Sequence, residues 1–414
     1  MPLRQSPARF LIIVIALSVS AMPAAALAAA EALERVLALP EAALLVRSPG
    51  GQPGIAYQAD RAMIPASTIK LVTALAAIEC WGLDHRFATN FYLSAGDRLW
   101  IEGAGDPFLV SEELDLVVAA LAHAGVSAVS GVGVDGDLYA SGLDIPGRSH
   151  SLNPYDAPIT ALGVNFNTVY LRVQGGRVVS AEAQTPLTPA AAELGRRLGE
   201  GTHRINLGEP ALALRYAGEL LAAKLAAAGI ANDDDVQVGA LPRQARRVLT
   251  YRSSRDLRDV LAAMLEHSSN FIANQLFLLL AADAARGPVD LLLAQRVMSD
   301  WVGRRFGWRG ARIEDGAGLS RGNRITARQL VDVVEALAPY RGLLPMQRGN
   351  DAVRAKTGTL RGVSAYAGFV RRSGDWAPFA LLINQSVEPT LRTQIATELT
   401  RAADTRRLCA GGPC

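Results

Sequence analysis

Apolar positions change rhythm several times along the chain, and each change predicts an element. Phe10 to Met22 is rich in Leu, Ile, Val and Ala, with Arg4 and Arg9 the only charges before it. From Ser67 to Cys80, STIKLVTALAAIEC is apolar nearly all round: Ile69, Val72, Leu75, Ala76 and Ile78 cover more than one face. That predicts a helix buried in a domain centre, entered after Pro65 and ended by Trp81-Gly82. From about Phe91 the rhythm turns strand-like, with FYLSAG, DRLWIEG, VSGVGVDG and TVYLRVQGG separated by turn residues. Glu112 to Ala124, Ala190 to Gly199 and Glu209 to Gly229 read as helices within this region, and Asn232 to Asp235 is a polar break.

After Arg252 the helical period returns. SSRDLRDVLAAMLEHSSN is expected to start at a Ser253 or Ser254 cap and to bury Leu257, Val260, Leu261, Met264 and Leu265. FIANQLFLLLAADAA continues as a second buried helix. Arg354 to Ser386 then switches to RAKTGTL, GVSAYAGFVRR and WAPFALLIN, joined by short turns such as Ser373-Gly374-Asp375. An antiparallel meander follows from such short links, closed by an amphipathic helix from Thr390 to Ala403. The expected fold is α+β, with residues 31–90 plus 244–405 as one domain and 91–243 as a strand-rich insertion.

Composition narrows the setting. With 414 residues, half of them hydrophobic, the chain is long enough for two cores. The net charge of +3, with no dense basic run among aromatics, excludes nucleic acid as a natural partner. Arg4, Arg9, the apolar run and Ala26-Leu27-Ala28 form the pattern of a secretory signal peptide over residues 1–28. Export to a bacterial periplasm fits best; left uncleaved, the same run would give peripheral membrane association. In an oxidising compartment Cys409 and Cys414, flanking Ala-Gly-Gly-Pro, are spaced to close a small loop, whereas Cys80 reads as a buried small hydrophobe. Five scattered histidines offer no metal-ligand spacing, so no cofactor is expected. The sequence sets no oligomeric state.

The chemistry emerges from a bias. Of 42 Lys and Arg residues only Lys70, Lys224 and Lys356 are lysines. An amine can lose its proton and act as a base, and a guanidinium cannot. Lys224 lies in LLAAKLAAAG and reads as a surface residue. Lys70 follows Ser67 by three positions, one helical turn, where burial would favour its neutral form and let it activate the serine. Ser268-Ser269-Asn270 stands between two buried helices. Lys356-Thr357-Gly358-Thr359 heads a strand, with a glycine that permits close approach, two hydroxyls and a charge suited to an anionic acyl compound.

Ser-x-x-Lys, Ser-x-Asn and Lys-Thr-Gly in that order resemble the motifs of penicillin-binding proteins and serine β-lactamases. Ser67 and Ser268 are 201 positions apart, and so long a first gap resembles the D-alanyl-D-alanine carboxypeptidase/endopeptidase family that includes penicillin-binding protein 4 (family S13). Gly103-Ala104-Gly105-Asp106-Pro107, Tyr155-Asp156-Ala157-Pro158, Asp315 to Ser320 with Asn323-Arg324, and Ala367-Gly368-Phe369 look like further stretches of that family. Ser269 and Asn274 depart from it, standing where acidic residues are usual.

The resemblance implies a transpeptidase-like domain of antiparallel sheet and helices. It implies that Ser67 attacks, Lys70 is the base, Ser268 relays a proton and Asn270 positions Lys70. Lys356, Thr357, Gly358 and Thr359 would bind the substrate's terminal carboxylate, and the N–H groups of Ser67 and Thr359 would form an oxyanion hole. Peptidoglycan peptides are the implied substrates and β-lactam antibiotics the implied covalent inhibitors. Asp315 to Asn323, Asp106 and Asp135 read as turn-shaping. Two alternatives remain: a β-lactamase or esterase of the same acyl-serine class, and a catalytically weak peptidoglycan-binding homologue.

Overall fold

The computed structural model describes residues 32–48, 53–233, 235–372 and 374–401. The N-terminal apolar run, Cys409 and Cys414 lie outside them. Among the described residues no helix is long and apolar enough to cross a membrane. Helix α1 (residues 32–37) leads to β1 (Ala42–Arg47) and β2 (Pro53–Tyr57). A 3₁₀ turn (Ala66–Ile69) then runs into α2 (Lys70–Trp81). Next come β3 (Ala88–Leu93), β4 (Leu99–Glu102), α3 (Ser111–His123), β5 (Val132–Asp135), β6 (Thr168–Gln174), β7 (Arg177–Ser180), α4 (Pro189–Gly195), β8 (Gly201–Asn206), α5 (Pro210–Ala227), β9 (Val236–Val238) and β10 (Arg246–Arg252). The chain returns through α6 (Leu257–Glu266), α7 (Asn270–Leu279), α8 (Leu291–Phe306), α9 (Ala327–Ala336), β11 (Met346–Gln347), β12 (Asn350–Leu360), β13 (Val363–Arg372), β14 (Asp375–Ile383) and α10 (Leu391–Arg401).

The main sheet has the order β11-β12-β13-β14-β1-β2 and is antiparallel throughout. The expected meander is β12 to β14, and β1 docks on it with Ala42 opposite Ile383. Alternate residues face opposite cores. Leu44, Val46, Phe379 and Leu381 pack with α1 and α10. Ala43, Leu45, Ala380 and Leu382 pack with α2, α7 and α9. Both faces are covered, so these strands read as continuous apolar runs rather than alternating ones. Burying each leucine contributes roughly 1.5–3 kcal/mol. As its pattern requires, α2 is buried from Lys70 to Ile78.

Between the two segments of this α+β domain sits the strand-rich insertion. Its larger sheet runs β10-β3-β4-β5-β9 and a smaller one β7-β6-β8. β4, β5 and β9 are parallel, because α3 and α5 carry the chain back across the sheet. An edge-to-face series, Phe108–Phe166–Phe271, fastens the insertion to α7, with centroids 5.3 and 6.1 Å apart. Gln275 Nε2 also donates to the Thr160 carbonyl at 3.0 Å.

Four local expectations change. Asp256, not Ser253 or Ser254, caps α6, accepting from the Asp259 N–H. The helix expected through FIANQLFLLLAADAA ends at Leu279, and a 3₁₀ turn follows at Ala282–Ala284. Cys80 is exposed, because the burial of α2 ends at Ile78. Lys224 is buried: it reaches Asp115 Oδ1 at 2.6 Å and the Gln184 carbonyl at 2.7 Å.

Candidate active site

Ser67 lies in the 3₁₀ turn just ahead of α2, not in the helix itself. Ala66 before it has φ +46°, a conformation a non-glycine residue holds only under constraint from its surroundings. Two glycines supply that constraint. A Cβ at Gly318 would lie 2.0 Å from the Ala66 carbonyl oxygen, and one at Gly358 2.9 Å from the Pro65 carbonyl oxygen and 3.0 Å from Ser67 N. Thr68 Oγ1 donates to the Pro65 carbonyl at 2.7 Å and ties the turn internally.

Lys70 is the first residue of α2 and has no exposed surface. Its Nζ lies 3.0 Å from Ser67 Oγ, 2.8 Å from Asn270 Oδ1 and 2.7 Å from the Ala317 carbonyl oxygen. All three neighbours are uncharged. Burial, then the nearby Lys356 charge, hold the Lys70 ammonium well below the usual lysine range, opposed by Asp315.

Asp315 faces Lys70 electrostatically, but its oxygens are used elsewhere. They accept from the N–H groups of Ala317, Gly318, Leu319 and Ser320 and from Asn323 Nδ2, at 2.6–3.1 Å. This turn aims the Ala317 carbonyl at Lys70. The turn-shaping expectation for Asp315 to Asn323 therefore has a physical basis, and the turn also touches the site.

Ser268 has φ +54° and is half-buried, at the joint between α6 and α7. It is not among the hydrogen-bond partners of Lys70. Ser269 caps α7, its hydroxyl accepting from Ile272 N at 3.2 Å. Asn270 follows with its amide divided: Oδ1 takes Lys70, and Nδ2 donates to the Tyr155 carbonyl at 3.1 Å. Asn274 is buried, and its Oδ1 accepts from Gly316 N at 2.9 Å. Neutral side chains thus perform a cap and a loop contact where acids are usual.

β12 passes the other side of Ser67. Lys356 is buried, and its Nζ donates to the Thr357 carbonyl at 3.0 Å. Burial, then Arg392, push its ammonium down to about 8, opposed by Glu266. Thr357 is half-buried, Thr359 is exposed, and Gly358 lies flush against the serine turn. The structure thus gathers Ser67, Lys70, Asn270 and the Lys356 strand around one point.

Asp106 and Asp135 shape loops, accepting from the N–H groups of Phe108, and of Asp137 and Leu241, respectively. Sequence reasoning missed Ala317, the Tyr155 carbonyl and Arg392; the first two act through backbone atoms, which no side-chain pattern signals. Among the described residues no cluster of His, Cys, Asp and Glu would hold a metal ion.

A helix-covered antiparallel sheet with a Ser-x-x-Lys turn, a Ser-x-Asn joint and a Lys-Thr-Gly edge is the build of the penicillin-binding, active-site-serine enzymes. The chain belongs to the D-Ala-D-Ala carboxypeptidase 3 (S13) family, whose model matches residues 26–193, 206–342 and 338–403. It is 29% identical over 396 residues to a D-alanyl-D-alanine carboxypeptidase of Actinomadura sp. (strain R39), covering 74% of this chain and 71% of that one. A carboxypeptidase of Mycobacterium tuberculosis is 25% identical over 374 residues, 79% of this chain and 72% of the relative. The fold matches penicillin-binding protein 4 of Haemophilus influenzae with a TM-score of 0.73 at 21% identity, covering 91% of this chain and 99% of that one.

Proposed function

We propose that this protein is an exported serine-type D-Ala-D-Ala carboxypeptidase that acts on peptidoglycan stem peptides through an acyl-Ser67 intermediate. The observation that carries the reading is the set of three neighbours around Lys70 Nζ. A neutral amine has two N–H groups and one lone pair. Asn270 Oδ1 and the Ala317 carbonyl can only accept, so they take both N–H groups. The lone pair then points at Ser67 Oγ, 3.0 Å away, ready for its proton.

Ser67 Oγ attacks the carbonyl carbon of the penultimate D-alanine as its proton passes to Lys70. The N–H groups of Ser67 and Thr359 receive the oxyanion, a contribution that is large in acyl transfer. The C–N bond breaks, the leaving amine takes the proton from Lys70 through the Ser268 hydroxyl, and D-alanine departs. Water then gives a proton to Lys70 and its oxygen to the acyl carbon, the bond from that carbon to Ser67 Oγ breaks, and Oγ takes the proton back from Lys70, which frees the shortened peptide and restores both residues. Lys356, Thr357 and Thr359 hold the terminal carboxylate, with Gly358 leaving room. The same steps on a D-alanyl cross-link constitute endopeptidase cleavage. A β-lactam offers its ring amide to the same attack. The division into a catalytic domain (31–90 plus 244–405) and an inserted domain (91–243) belongs to this reading, with β3 and β10 paired across its edge.

The test is incubation with fluorescent penicillin while D-alanine release from a muropeptide is followed. Persistent labelling, lost in Ser67→Ala, together with D-alanine release, is expected. No labelling would overturn the reading in favour of a binding homologue, and rapid drug turnover would favour a β-lactamase.

A further inference from the structure

Arg392, the second residue of α10, reaches over the end of β12. Its Nη1 donates to the Gly358 carbonyl at 3.0 Å and to Thr359 Oγ1 at 2.7 Å. Its Nε is buried without a hydrogen-bond partner, and among the described residues Arg392 forms no ion pair. A half-buried guanidinium beside a second buried cation, Lys356, with no carboxylate bonded to it, is a costly arrangement. It becomes favourable when an anion arrives. The bond to Thr359 also has a direction. Arg392 can only donate, so the Thr359 oxygen must accept, and its own O–H is free to turn toward the exposed side of the strand.

We propose that Arg392 is a positioning residue that makes the site selective for an anionic leaving group, by setting the Thr359 hydroxyl as a donor toward that group's carboxylate. This rests on the reading of the β12 edge as the carboxylate pocket. The balance of charge supports it: Lys356 and Arg392 offer two positive groups to one carboxylate, and Glu266 is the acidic group acting on Lys356 from α6.

The test uses the full chain and two acyl-D-alanyl thioesters. One leaving group ends in a carboxylate; in the other that carboxylate is an amide. Thioesters are reactive enough for both to be measured. Arg392→Gln should lower kcat/KM for the carboxylate substrate about 10- to 100-fold, mainly through KM, the range expected for a hydrogen bond to a charged group. The amide substrate should change less than about twofold. In a Thr359→Val background the Arg392→Gln effect should largely vanish. Equal losses on both thioesters, or no loss on either, would overturn the proposal. If Arg392→Gln fails to fold, Arg392→Lys reads the same ratio, because it keeps the charge but not the planar fork. Unlabelled Ser67 and no turnover of either thioester by the unaltered enzyme would instead sink the carboxypeptidase reading.

Discussion

Two buried lysines, in two regions of the molecule, meet opposite surroundings. Lys224 in the insertion is 7% exposed and is bonded directly to a carboxylate, Asp115. Lys70 beneath the main sheet is 0% exposed, and every atom that its Nζ bonds is neutral. Desolvation opposes the charge in both places. The difference lies in where the carboxylate goes. Asp115 spends an oxygen on its lysine, whereas Asp315 spends its oxygens on backbone N–H groups and an amide. Burial and the neighbouring Lys356 charge hold the Lys70 ammonium down, and the carboxylate that opposes them makes no bond to it.

The largest effects should come from the uncompensated side. Lys70→Arg keeps the charge and removes the base, so penicillin acylation should fall about 10²–10⁴-fold, measured by the rate of label incorporation. Lys224→Arg should leave that rate unchanged; a comparable loss there would break the contrast. Next comes Asp315→Asn. It weakens charge-assisted bonds to a buried loop and should cost roughly 2–3 kcal/mol of unfolding free energy in a urea titration. It also removes the one charge that raises the Lys70 pKa, so the rising limb of the acylation pH profile should move to lower pH.

Lys224→Met should be milder. It leaves the Gln184 carbonyl without a donor, at about 1–2 kcal/mol, with an unaltered pH profile. The finest effect is the profile itself. Lys70 must be neutral, so activity rises as it deprotonates; Lys356 must be charged, so carboxylate binding falls through about pH 8. A bell-shaped kcat/KM is expected, with its upper limb absent for a substrate lacking the carboxylate.

Much of this was legible from residue types. A helix apolar all round, two of the three lysines spared in an arginine-rich chain, and a glycine in the Lys-Thr-Gly strand located the site and its helix. The meander was readable because its turns are short. Other parts were not. β1 (AALLVR) is a short apolar run that fits helix or strand equally, and only pairing with β14 decides it. α8 fully buries only Ala294, Met298 and Val302, and its other packed residues, such as Val297 and Trp301, stay partly exposed among polar positions, so its stripe did not stand out. Ser269 and Asn274 looked like losses of acid from the site, but their contacts are a helix cap and a loop N–H, which neutral groups satisfy. Arg392 was hidden for the reason that made the lysines visible: in a chain full of arginine, one more carries no signal.

The serine turn is gripped between Gly318 and Gly358, both from the C-terminal third of the chain. The left-handed Ala66 therefore lacks its outer clamp until those segments have docked, with only the local Thr68 bond to the Pro65 carbonyl in place. Contacts so distant along the chain close late, because loop-closure entropy must be met first. Refolding should pass through a species whose insertion is already native but which is chemically silent. When the protein is diluted from urea, fluorescent penicillin should label it only in the slowest refolding phase, after most secondary structure has returned.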